Sequence, residues 1–206
     1  PRVILAGLVG AALATSGAVY QTVFRNPLAD PYLLGVAAGA GLGATLAFVL
    51  GGSVLLGATG VALVPVFAFV GALAAVAVTF LVAGARRSDP RTLLLAGVAV
   101  GSFATAAQTY LFQSHTQILR TVYSWILGQL VAADWATVAW TAGYLVLALG
   151  VLFVIARRLD GLLLSDEEAH SLGLKPARLR AVAIAAATLA TATAVAAGGL
   201  IGFVGL

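Results

Sequence analysis

An all-α, polytopic transmembrane bundle is the fold class this sequence predicts, and three observations predict it. The 206-residue chain is 62% hydrophobic and only 9% charged, with a mean hydropathy of +1.08; a soluble domain carries about 25% charged residues because its surface faces water. Seven acids and eleven bases cannot cover a globule of this size, so the solvent for most of its surface is lipid. The apolar residues also fall into six continuous runs, each close to the roughly 20 helical residues that cross about 30 Å of hydrocarbon. Finally, those runs lack period-2 alternation, so they read as helices and not as barrel strands.

The first run, about 3–24, ends at the stretch RNPLADPYLLGV, residues 25–36. Pro27 and Pro31 lack the N–H that a continuing helix needs. Asn26 and Asp30 can hydrogen-bond the backbone groups freed by the turn. The runs at about 32–51, 61–84 and 92–113 follow, rich in Ala, Leu and Val. Glycines recur at helical spacing as Gly35, Gly39 and Gly43, as Gly97 and Gly101, and later as Gly198 and Gly202. Such rows let helix backbones approach closely where lipid offers no hydrophobic drive to pack.

A connection of about 114–134 then carries Ile118, Val122, Trp125, Ile126 and Gln129–Leu130 at near-helical spacing, which predicts a short surface helix over about 118–131. After the run at about 135–156 comes the most charged part of the chain, 157–180. There Ser165 is placed to cap a helix whose first turn holds Asp166, Glu167 and Glu168. Gly173 supplies the C-terminal cap with Pro176 just beyond, so a short amphipathic helix is expected over about 166–172. The last run is about 181–204. The whole of 1–206 reads as one transmembrane domain.

Direction follows from the bases. Arg25, Arg86, Arg87, Arg91, Arg157, Arg158, Lys175, Arg178 and Arg180 share one side, and only Arg2 and Arg120 lie on the other. The positive-inside rule makes the richer side cytoplasmic. Trp125, Trp135 and Trp140 gather with Tyr123 and Tyr144 at the outer ends of the fourth and fifth runs, as an interfacial belt does. The chain opens on Pro1 and holds no methionine, so it reads as a fragment whose first run is a mature span and not a signal peptide. With six spans starting outside, at least one more must precede them if the protein starts in the cytoplasm.

Most chemistry is excluded. No cysteine is present, which removes disulfides and thiolate sites. GAGLGA at 39–44 matches a dinucleotide pattern but lacks the preceding strand and the acid about 20 residues on. No phosphate-binding G-x-x-x-x-G-K-[ST] loop occurs. His115 and His170 fall on opposite sides of the membrane and cannot share a metal. The net charge of +4 reports cytoplasmic loops and not nucleic-acid binding. No Lys, Arg, Asp or Glu lies within the predicted spans, which weighs against the alternative of a secondary, ion-coupled transporter. An assembly protein is a further alternative; a membrane enzyme fits least, since no catalytic constellation is visible.

Beyond composition, five stretches resemble the FecCD-type permeases of ABC importers for iron–siderophores, haem and cobalamin. They are residues 1–43, with Gln21, Phe24, Asn26, Pro27, Leu28, Ala29, Asp30, Pro31 and Leu33 to Val36; RTLLLAGVAVGS at 91–102; YSWILGQLVAADW at 123–135; LLLSDEEAHSLGL at 162–174; and GGLIGFVGL at 198–206. Ser165 departs from the glycine usual in the family. The resemblance implies a permease of about ten spans, of which this chain holds the second to seventh. It sits in the cytoplasmic membrane of a prokaryote and moves such substrates inward.

The implied partners are a second permease copy or close paralogue, an ABC ATPase dimer, an extracytoplasmic substrate-binding protein and membrane lipid. No cofactor is expected in this chain, ATP and Mg being held by the ATPase. By resemblance, Ser165, Glu168, Ala169, Leu172 and Gly173 contact the ATPase. Gln21, Asn26, Pro27, Asp30 and Pro31 form an inner turn beside the translocation path. Ser88, Pro90, Arg91 and Thr92 belong to a cytoplasmic gate region, and Arg2 meets the binding protein.

Overall fold

The computed structural model describes residues 1–54, 58–84, 89–128, 130 and 133–205, without the side chains of 51–54 and 58–62. Every regular element among them is helical: α1 (Arg2–Phe24), α2 (Val36–Val54), α3 (Ala58–Ala83), α4 (Pro90–Ser114), α5 (Leu119–Ile126), α6 (Trp135–Leu159), α7 (Asp166–Ser171) and α8 (Pro176–Gly198). Short 3-10 turns, Thr116–Ile118 and Asp160–Leu163, lead into α5 and follow α6. α1, α4, α6, α8 and the 63–83 part of α3 are long and apolar enough to cross a membrane. The apolar part of α2, Val36–Leu50, is shorter.

Each of the six predicted runs contains a helix, but several boundaries need correcting. The surface helix expected over 118–131 is only Leu119–Ile126, because Gly128 takes a φ of 78° and turns the chain; Gln129 lies outside the described residues. α6 runs on to Leu159. α8 starts at Pro176, whose fixed φ and missing N–H suit a first helical position, and it stops at Gly198 instead of continuing to 204. Gly202 therefore stands outside the helix and has nothing within 4 Å of a Cβ placed on it, so the expected Gly198–Gly202 packing row does not exist. Likewise the 32–51 run becomes helical only at Val36.

α8 is the axis of the bundle, with 72% of its most apolar window buried, and α1, α6 and α3 pack around it. Between hydrocarbon-solvated helices, dispersion and interhelical hydrogen bonds replace the hydrophobic drive. The α1–α8 seam uses both. Ser16 Oγ donates to the Ala187 carbonyl at 3.0 Å, and Tyr20 Oη and Thr188 Oγ1 share a hydrogen bond of 3.1 Å. On the other side α2 lies along α3 and against α4. A Cβ on Gly39 would stand 2.4 Å from the Gly71 carbonyl oxygen, and one on Gly71 2.3 Å from that of Gly39. Only glycine at both positions permits this crossing. Gln108 of α4 donates to Thr45 Oγ1 of α2 at 3.0 Å.

Two non-helical segments, 26–35 and 199–205, lie against each other inside the bundle. Leu33 and Leu34 touch Gly97, seven residues into α4, which is about 10 Å along that helix at 1.5 Å per residue. The chain after Arg25 therefore climbs back between helices before α2 begins. Irregular backbone at that depth persists only where protein satisfies it. Asn26 Oδ1 accepts the Leu28 N–H at 3.0 Å, and Asp30 Oδ1 accepts the Tyr32 N–H at 2.7 Å. The Tyr32 hydroxyl donates to the Ile201 carbonyl at 2.9 Å, Gln21 Nε2 donates to Gly205 O at 3.5 Å, and the Leu200 N–H reaches Ile126 O at 3.2 Å.

Candidate functional site

α7 is six residues long, too short to hold itself together in water. Its ends explain its presence. Ser165 Oγ accepts the Glu168 N–H at 3.2 Å while Glu168 Oε2 accepts the Ser165 N–H at 2.9 Å, a reciprocal capping box. These bonds hold the Glu168 carboxyl below its usual range, the backbone bond from Ser165 contributing most. At the other end Gly173 N–H bonds His170 O at 2.9 Å and Leu174 N–H bonds Ala169 O at 3.0 Å. That pattern is a Schellman cap, and Gly173 fits it with a φ of 77°. Ser165, Glu168, Leu172 and Gly173 are exposed, whereas Ala169 is 1% exposed and faces inward.

A second set of bonds ties α7 to two spans. Arg180, in the first turns of α8 and 2% exposed, grips Asp166 with both terminal nitrogens, at 3.0 and 2.5 Å. Arg25 reaches the same carboxylate at 3.2 Å and donates to the carbonyls of Leu162, at 2.6 Å, and of Leu164. Bidentate and charge-assisted bonds of this kind are the strong ones. They hold the Asp166 carboxyl below its ordinary range, the bond from Arg180 contributing most. Arg25 makes this reach from a left-handed backbone, φ 49° and ψ 40°, at the end of α1. One carboxylate thus joins α7, α8 and the end of α1.

In the sequence, Arg25 and Arg180 serve as markers of the cytoplasmic side and Asp166 as part of a helix start; the structure adds that the three form one cluster. α8 begins ahead of the predicted 181–204 run, so Arg180, just outside that run, is a buried charge in its second turn. No local spacing announces the cluster, because its members are 14 and 141 residues apart.

The second feature is an open groove of about 700 Å³ between the segment leading into α2 and one face of α4. Asp30, Tyr32 and Gly35 line one side; Ser102, Thr105 and Thr109 line the other. Of the proposed inner-turn residues, Asp30 borders this groove. Pro31 is buried beside Gly205, Gln21 bonds Gly205 O, and Asn26 and Pro27 are exposed nearer the clamp. The proposed gate residues Pro90, Arg91 and Thr92 form the first turn of α4, and Ser88 lies outside the described residues, as do Arg86 and Arg87. Asp89 caps that turn. It accepts the Arg91 N–H at 3.2 Å and the Thr92 hydroxyl at 2.8 Å, and the latter bond contributes most to holding its carboxyl below the usual range. Arg2 is exposed at the far end of α1, away from this cluster. Among the described residues no group of His, Asp and Glu could hold a metal ion.

Known proteins share this architecture. The chain is 41% identical over its whole length to the hemin transport system permease HmuU of Yersinia pestis, covering 62% of that protein. It is 39% identical, again over its whole length, to the cobalamin import system permease BtuC of Halobacterium salinarum, covering 54%. It therefore spans only about half to three-fifths of these curated relatives. Its fold superposes on an inward-facing metal-chelate type ABC transporter with a TM-score of 0.89 and 30% identity, covering all of this chain and 64% of that one. The model of the FecCD transport family matches residues 1–206 without a break, taking in both the clamped α7 and the paired non-helical segments, and the chain belongs to that family.

Proposed function

We propose that this chain is the greater part of the membrane-spanning permease subunit of an ATP-driven importer, set in the cytoplasmic membrane and moving iron–siderophore, haem or cobalamin-type substrates inward. The observation that carries the reading is the end-to-end family match. The partners it calls for are a second permease copy, an ATPase dimer beneath and an extracytoplasmic binding protein above, which Arg2 would meet. ATP and Mg would be bound by the ATPase, and this chain would be a transport subunit, not an enzyme.

Within that reading, α7 is the ATPase's handle. Ser165, Glu168, Leu172 and Gly173 offer its exposed contact surface, while the inward Ala169 sets its seating. Force on α7 passes through Asp166 into α8 by Arg180 and into α1 by Arg25. Two discrete packings of these helices, one favoured by ATP, would rock the α2–α4 groove between its accessible states. Asp30 borders the groove, and the first turn of α4 (Pro90, Arg91, Thr92), about two turns before Gly97, would serve as its cytoplasmic gate. The small hydroxyls of Ser102, Thr105 and Thr109 suit a large, weakly held cargo.

The test uses the full-length protein, tagged and purified in detergent from its own host. An ATPase subunit should co-purify in equal amount, and Gly173→Asp, or deletion of 166–172, should remove it. Absence of any ATPase from the intact protein would sink the importer reading and favour an ion-coupled carrier.

A further inference from the structure

The cytoplasmic ends of α6 and α8 frame a groove of about 570 Å³ that plays no part in the clamp or in the α2–α4 groove. Three cations line it, Arg158 from α6 and Lys175 and Arg178 from the start of α8, and no acid does. All three are exposed, and among the described residues none of their side chains forms a hydrogen bond or ion pair within the chain. Arg25 and Arg180 differ, since Asp166 engages both. The positive charge here is therefore unspent locally.

The rest of the wall is aliphatic: Ile155, Leu179 and Val182. Toward the bilayer centre, exposed Val151, about one turn from Ile155 on α6, and exposed Ala185, about one turn from Val182 on α8, extend that apolar wall. A charged base below and a hydrocarbon-lined furrow above match a molecule with an anionic head and an acyl tail. The location matches as well. Positive-inside reasoning sets these helix ends at the cytoplasmic leaflet, where acidic lipids create a negative surface potential that draws Lys and Arg. A soluble anion would use the cations but leave the aliphatic wall without a partner.

We infer that this groove binds the phosphate head of an acidic phospholipid, with Arg158, Lys175 and Arg178 around the phosphate and one acyl chain against Ile155 and Val182. The binding itself rests on the groove's charge and apolar wall, while its bearing on α7 rests on the import reading. Because Gly173 borders it, the lipid would lie beside α7, where it can bias how the handle sits.

The experiment measures lipid retained by the full-length protein, using native mass spectrometry with phosphatidylglycerol and phosphatidylcholine of identical chains. Wild-type protein should hold phosphatidylglycerol preferentially and saturably. The triple variant Arg158→Gln, Lys175→Gln, Arg178→Gln should lower that preference about a hundredfold, the few-fold loss per cation compounded over three headgroup contacts. Arg157→Gln, one residue away and outside the groove, should leave it intact. Val182→Trp keeps every charge but fills the furrow, and should also weaken retention. Glycerol phosphate at the same concentration should not displace the lipid. Equal retention of the two lipids overturns the proposal, as does a loss in Arg157→Gln matching that in the triple variant. Displacement by glycerol phosphate would identify a free-phosphate site instead of a lipid site. If the triple variant does not fold, Lys175→Gln alone decides, with a loss of a few-fold expected and no change overturning the inference.

Discussion

α8 and α4 are apolar helices of similar length, 23 and 25 residues, placed in opposite settings. In α8, 72% of the most apolar window is buried, against 28% in α4. The hydroxyls of α8 are tied into the protein: Thr188 to Tyr20, and Thr191 and Thr193 to the carbonyls of Ala187 and Leu189, at 2.9 and 2.7 Å. On α4, Ser102, Thr105 and Thr109 line an open groove, even though Thr109 makes the same bond to the Thr105 carbonyl at 2.9 Å. Hydroxyls gain little from lipid, so a row of them on an open face suits water, cargo or another protein. The comparison teaches that burial within this bundle, and not hydropathy, separates the helix that holds it together from the helix that does work at its edge.

Overpacking should show the contrast most strongly. Ala190→Leu, at a fully buried position of α8, should destabilise toward the upper end of about 1–3 kcal/mol. Ala106→Leu on the exposed face of α4 should stay within about 0.5 kcal/mol. Thermal unfolding of the full-length protein in detergent compares them, and equal losses would erase the distinction.

Arg180→Gln comes next. It leaves Asp166 without its bidentate partner and places an uncharged group in a buried site. About 2 kcal/mol is expected, below the range for a fully buried pair because the Asp166 side chain is 52% exposed. With Asp166→Asn the two losses should combine to less than their sum, and additive losses would mean that the contact does not couple α7 to α8.

Thr105→Leu sharpens the other side. Stability should shift by no more than about 0.5 kcal/mol, while uptake by the reconstituted importer should fall several-fold, by blocking the groove. Unchanged uptake would remove the groove from the path.

The smallest effect concerns pH. The folded-state pKa of Asp166 is depressed, so the clamp's contribution is complete above the ordinary carboxylate value of about 3.9. It is lost as pH falls through the lower folded value. Hydrogen-exchange protection of residues 162–174 should accordingly differ between wild type and Asp166→Asn by an offset that stays constant between about pH 5 and 8; an offset that shrinks within that window would mean the carboxylate is not held by the clamp.

The spans were legible because continuous apolar runs of helical length have one stable solution in lipid. The caps of α7 were legible too, since Ser165, Glu168 and Gly173 act on neighbours within a few residues. The end of α8 was not. Residues 199–205 are as apolar as the helix before them, and the partners that let them leave it, Tyr32 and Ile126, come from distant parts of the chain. The Asp166 clamp was hidden for the same reason. Arg25 and Arg180 look like ordinary loop cations until folding brings them to one carboxylate.

The partners of α1 have a consequence for how the protein is made. Ser16, Tyr20, Gln21, Arg25 and Tyr32 bond to residues 137 to 184 positions later. At a synthesis rate of about 5–20 residues per second, roughly seven to forty seconds separate their emergence from that of their mates. During that interval α1 stands in the bilayer with its polar face unmatched, sheltered only by insertion machinery or by temporary neighbours. The α1–α8 seam therefore closes only once α8 has emerged, and truncations ahead of α8 should strand α1 as surely as they remove its partner.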